Sequence, residues 1–248
     1  MAETLHWQEA LQQVFAEPWR VRPAYQPIID LERGTVWACQ VLARFISPLR
    51  ATPPEWLEAA GARGLRQALE LRLLQAGLDA MPELPERCRL VLPMTPETLA
   101  SAAVQKVLVK QVPSCATSCS TSRPAAPRST WTSCRRRRSR CAAIALLAGA
   151  SPEGLDALPR LRPDVLKLGV DYVAGVDGDP RRHVVVEGLA QVVGTLGGRL
   201  LGVGIETQAQ LDVLTSAGIS LGQGFGLGRP VPSMAASVTR AGAPLLNR

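Results

Sequence analysis

The chain has 248 residues, 46% of them apolar and 4% aromatic, which excludes general disorder and predicts one large domain with a core mainly of Leu, Val and Ala. The net charge is +7, but seven of the 28 basic residues and none of the 21 acidic ones fall in 113–141; the remainder balances at 28 − 7 = 21 against 21, so no basic face and no nucleic-acid partner is expected. The N-terminus MAETLHWQEALQQVFAEPWR lacks a signal-peptide pattern and the longest apolar run, CAAIALLAGA, is too short to span a bilayer, so a soluble, cytoplasmic protein without a membrane partner is expected.

In chain order, residues 5–15 read as a short amphipathic helix with Leu5, Leu11, Val14 and Phe15 as its apolar positions. YQPIIDLERGTVWACQVLARF reads as two strands joined by a turn at Arg33-Gly34. Residues 54–80 read as one helical stretch with Leu65, Leu69, Leu73 and Ala76 along one face; Gly61 and Gly64 weaken its first turns. CRLVLPM (88–94) reads as a buried strand and 96–110 as a helix.

Segment 113–141 breaks the pattern. It contains only Ser, Thr, Arg, Pro, Cys, Ala and one Trp, a composition that cannot bury apolar area. Cys115 and Cys119, with Cys134 and Cys141, have a zinc-like spacing, but the surrounding strand and turn pattern that such a site needs is missing. The abrupt change at both ends predicts a frame-shifted reading entered near Pro113 and left near Cys141; a genuine basic insertion that binds nucleic acid through CRRRRSR is the other reading. A barrel deprived of one βα unit here would leave its hydrogen-bond ring open.

Beyond it, AAIALL reads as strand, PEGLDALPRL as a helical turn or two, DVLKLG as strand, RRHVVVEGLAQVVGTLGG as helix and RLLGVGI as strand. Thr207 through Ala217 read as a helix, with Thr207 and Gln210 spaced as a capping box and Gly218 as its stop. Short apolar strands alternating with helices indicate parallel βα units, and over this length an α/β fold of the TIM-type (β/α)-barrel kind. Active residues of such a barrel sit at the C-terminal strand ends, which here carry Gln40, Arg44, Pro93, Lys167 and Glu206, with Gln223 in the loop after the last helix.

From about Tyr25 to Pro232, with a gap at 113–141, the chain resembles the EAL domain, the cyclic di-GMP phosphodiesterase module of bacterial signalling. The resemblance rests on YQPIIDLERGTV, PEWLEAAGARGLRQALE, RPDVLKLG and above all GVGIETQAQLDVLTSAGISLGQGFGLGRPVP. It implies a TIM-type barrel over 21–240, preceded by a helical extension (1–20), interrupted by the irregular segment 113–141 and followed by a tail (241–248). It also implies opening of one phosphodiester of cyclic di-GMP to pGpG, with two Mg²⁺ or Mn²⁺ ions held by carboxylates and an amide.

Of the family's site, the resemblance retains Glu206 and Lys167 at catalytic positions, Glu206 alone as a metal ligand, and Gln26, Arg44 and Gln223 as ligand-binding residues. Gln40 stands where the family's signature Glu is, Pro93 where a metal-binding Asn is, Gly169 where an Asp follows the strand lysine, and Val203 where the closing motif has its first Glu. The paired aspartates fall near Leu147 and Ala148, and the central glutamate motif would lie inside 113–141, which has no acid. The expectation is a degenerate EAL domain that acts as a cyclic di-GMP receptor or regulator and needs no metal. The alternatives are an active phosphodiesterase using Mg²⁺ or Mn²⁺, and a nucleotide-independent scaffold for a protein partner.

Overall fold

Side chains alternate between the two faces of each strand, the parallel strands are buried on both faces, and the strands solve their edge problem by closing on themselves. The structure, a computed structural model, describes residues 2–79, 81–83, 88–111, 116–119, 144–148 and 164–239. Strands β1 (Val21–Asp30) and β2 (Thr35–Phe45) form an antiparallel hairpin. β3 (Arg89–Met94), β4 (Ala116–Cys119), β5 (Ile144–Ala148), β6 (Val165–Leu168), β7 (Arg199–Val203) and β8 (Leu221–Gln223) then follow in parallel, each beside its predecessor. β8 returns to β1, antiparallel, and the described strands make a closed barrel. The TIM-type fold expected from the sequence is the one observed. Ile28, Ala38, Val91, Val165, Leu201 and Leu221, one residue from each of six strands, form its buried interior plug.

Helices cover the outside: α1 (Ala2–Ala16), α2 (Pro53–Gly61), α3 (Arg66–Leu78), α4 (Pro96–Ala100), α5 (Ala102–Gln111), α6 (Val170–Val173), α7 (Pro180–Thr195), α8 (Gln208–Ser216) and α9 (Met234–Thr239). α7 and α8 bury Val186, Val193, Leu211 and Leu214 against Leu166, Leu168 and Leu200 of the sheet. α1, α2 and α3 meet around Trp56, whose ring stacks on Phe45 at 4.5 Å and meets Trp7 edge-on at 5.2 Å. Among the described residues no helix is long and apolar enough to cross a membrane.

Several sequence expectations are corrected. The single helix over 54–80 is two, because Gly64 takes a left-handed φ of 69° and ends α2; the Leu65 N–H bonds the Ala60 carbonyl at 2.8 Å in a Schellman-type cap. Leu65 therefore leaves the apolar face it was expected to share and is 36% exposed. The helix over 96–110 also divides, because Ser101 is extended (ψ 144°) between α4 and α5. Gln223 ends a strand, β8, rather than lying in a loop. The ring is not left open within 113–141: β4, residues 116–119, pairs with β3 on one side and β5 on the other. Backbone pairing is indifferent to side-chain apolarity, so a polar stretch can complete it. The helical turns expected at 152–161, and the rest of 113–141 with Cys115, Cys134 and Cys141, lie outside the described residues.

Candidate functional site

One pleat beyond the interior plug, toward the C-terminal mouth, the inward positions are Gln40, Pro93, Lys167, Val203 and Gln223, each two residues after its plug residue. On the reversed strand β1 the equivalent position is Gln26, two residues before Ile28 and directly opposite Gln40. The barrel thus gathers six of the residues picked out in the sequence into one ring.

Lys167 is 5% exposed, and its Nζ donates to Gln40 Oε1 at 2.6 Å. β6 and β2 are not neighbours in the sheet, so this bond crosses the barrel. Burial disfavours the ammonium and lowers its pKa from 10.5 to about 8. Among the described residues no carboxylate pairs with it.

Gln26 and Gln223 form the other polar pair. Gln223 Nε2 donates to Gln26 Oε1 at 3.2 Å, and Gln26 Nε2 donates to the Gly228 carbonyl at 3.1 Å. Gln223 Oε1 is buried without a partner among the described residues. The backbone around this pair is dense. The Gly204 and Ile205 N–H groups both donate to the Gln223 carbonyl, at 2.7 and 3.1 Å. A Cβ on Gly224 would fall onto the backbone of Ile205. This close approach fixes the exit of β7 against the exit of β8, and with it the origin of the Glu206 loop.

Glu206 itself is exposed. Its N–H donates to Gln210 Oε1 at 2.9 Å, beside the Thr207 N–H at 3.2 Å, while Thr207 Oγ1 accepts the Gln210 N–H at 3.2 Å. The expected capping box is present, and the carboxylate stands at the positive end of α8. Gly169, immediately after β6, is the N-cap of α6 and offers no side chain.

Arg44 lies two pleats above Gln40 on the same face of β2, exposed, with Nη1 donating to the Ala43 carbonyl at 3.1 Å. Directly opposite it on β1 is Arg22, also exposed. Sequence reading missed Arg22, although period-two counting back from Gln26 reaches it. Arg229, within the closing motif that carries the resemblance, lies in the loop after β8, where its guanidinium sits 4.8 Å from the ring of Phe225. A supporting residue was also passed over. Glu70 of α3 is 2% exposed and accepts from the Thr95 N–H at 2.9 Å and Thr95 Oγ1 at 2.8 Å, which anchors the chain just after β3.

Among the described residues the donor set does not suit a pair of divalent ions. Among the described residues no three His, Cys, Asp or Glu side chains gather as a metal site. Pro93, Gly169 and Val203 have no side-chain oxygen, Gln40 Oε1 is already bonded to an ammonium, and Glu206 is a single carboxylate.

The PaMucR phosphodiesterase, in complex with c-di-GMP, superposes on the chain with a TM-score of 0.81 at 22% identity, covering 91% of this chain and 97% of that one. The FimX EAL domain from Pseudomonas aeruginosa bound to c-di-GMP gives a TM-score of 0.78 at 20% identity, covering 92% and 97%. BlrP1 of Klebsiella pneumoniae, a manganese and cyclic di-GMP complex, gives 0.71 at 23% identity, covering 86% of this chain and 56% of that one. At these identities the likeness establishes the fold. No curated protein matches the chain. The EAL domain profile matches residues 8–230, nearly the whole described barrel, and the chain belongs to the EAL domain family.

Proposed function

We propose that this EAL domain binds cyclic di-GMP and acts as a receptor or regulator that does not hydrolyse it. Family membership and the cyclic di-GMP complexes among its structural neighbours support the choice of nucleotide. Arg44 supplies a guanidinium for a phosphate, and Gln26 and Gln223 supply amide groups at the mouth for guanine edges.

The observation that carries the non-hydrolytic reading is the 2.6 Å bond between Lys167 Nζ and Gln40 Oε1. Two divalent ions would bring four positive charges to a ring that already buries an ammonium. One exposed carboxylate, Glu206, does not compensate them, and losing even one ligand or its support lowers metal affinity about 10- to 100-fold. Without the metals no described residue of the ring lowers the pKa of a water.

The test is incubation of the purified chain with cyclic di-GMP and Mg²⁺ or Mn²⁺, resolving substrate from pGpG by chromatography, beside a calorimetric titration with the nucleotide. Binding without turnover is expected. More than one turnover per chain, abolished by Glu206→Ala, would overturn the reading; absence of any binding would leave a protein-interaction scaffold in its place.

A further inference from the structure

We propose that the Lys167 ammonium is the resident cation of this site, so that the phosphodiester of a cyclic dinucleotide is held there without any divalent metal. The inference rests on the receptor reading above and specifies how its site recognises charge.

The argument starts from an imbalance. Lys167 is 5% exposed and carries three N–H donors, of which Gln40 Oε1 takes one. Among the described residues the ammonium has no anionic partner. A buried charge held only by a neutral amide is an unstable arrangement unless an anion completes it. The position is not a packing accident: Lys167 stands on the inward face one pleat above Val165, where the plug ends and the mouth begins.

Gln40 suits the same reading. Its carbonyl oxygen accepts from Lys167, which leaves its amide N–H₂ as a donor for the same oxyanion. A Glu in its place would need a metal between itself and a phosphate; a Gln needs none. Farther up the same ribbon Arg22 and Arg44 oppose each other across β1 and β2. Like charges directly opposite are destabilising in a bare sheet, and a shared anion relieves them. Lys167 below and this arginine pair above provide separate positive positions, which matches a ligand with two phosphodiester charges. The same cations repel Mg²⁺ and Mn²⁺.

The experiment titrates fluorescently labelled cyclic di-GMP into the full chain, by anisotropy, in excess EDTA and again in millimolar Mn²⁺. Equal affinity in the two, within about twofold, is expected. Binding that requires Mn²⁺ overturns the inference and leaves the receptor reading standing. Absence of binding in both conditions overturns the receptor reading itself. Lys167→Met, checked for a cooperative unfolding transition, is expected to weaken binding in EDTA by about tenfold or more; wild-type affinity in that variant overturns the inference. The EDTA and Mn²⁺ comparison on the unaltered chain stands whether or not the variant folds.

Discussion

Lys167 and Gln40 meet at 2.6 Å across the barrel, a buried ammonium bonded to a neutral amide and separated from it by 127 residues of chain. The contact joins two strands, β6 and β2, that share no backbone hydrogen bond. It is one of two polar contacts in the ring, the other joining Gln26 to Gln223, and its energetics are dominated by desolvation of the charge.

Replacing that charge should stabilise the fold. Lys167 titrates near 8 in the folded chain against 10.5 when unfolded. Below pH 8 both states are protonated and the full burial penalty, up to about 3 kcal/mol, is present. Between pH 8 and 10.5 the unfolded state holds more protons, so wild-type stability from this group rises with pH. Lys167→Met should therefore gain about 1–2 kcal/mol at pH 7, after the loss of the Gln40 bond, and the gain should shrink by pH 10. Urea unfolding of both chains at the two pH values measures it.

Restoring one acid should not restore turnover. Gln40→Glu places a carboxylate beside Lys167, which raises the lysine pKa and holds its charge. Pro93, Gly169 and Val203 still lack oxygen donors, so chromatography with Mn²⁺ should detect no more than one pGpG per chain. Multiple turnover from this single change would mean that groups outside the described residues complete the metal site.

The closed end of the barrel depends on Asp30. Its carboxylate lies 3.0 Å from Arg199 and 2.9 Å from Arg33, which ties the end of β1 to the start of β7. Burial pushes its pKa up, but hydrogen bonds from Arg199 and Arg33 outweigh this and hold it below the usual carboxylate range. The stability it provides is present above the unfolded carboxylate pKa and is lost as pH falls through the lowered one. Asp30→Asn should lower stability by about 2–3 kcal/mol at neutral pH, and the difference should vanish in acid. Thermal unfolding from pH 7 to 2 tests both parts.

Two glycine substitutions should differ in sign. Gly224→Ala drives its Cβ onto the Ile205 backbone and should cost about 4 kcal/mol or more, seen as loss of folded protein by circular dichroism. Gly188 lies exposed within α7 with nothing near its missing Cβ. Gly188→Ala should raise stability by about 0.5–1 kcal/mol.

Much of the barrel is legible locally. Val165 and Lys167, Leu201 and Val203, and Ala38 and Gln40 share faces because side chains alternate along a strand. Thr207 and Gln210 announce α8 because a capping box needs only their spacing. Gly61 and Gly64 signalled weakness in 54–80, but weakness became a break only because the Gly64 cap was formed. β8 escaped notice because three residues are too few to display a period.

Most of the alternation of strands and helices, and the strand-end positions of Gln40, Pro93 and Lys167, are legible in the sequence alone, since they depend on contacts within a few residues. Barrel closure is what shows that a polar stretch at 116–119 completes the ring, that Gln223 ends a strand and meets Gln26, and that Lys167 reaches Gln40. The two side-chain pairings span 197 and 127 residues, and no local periodicity encodes them; they exist because closing the barrel brings distant strand ends to one mouth.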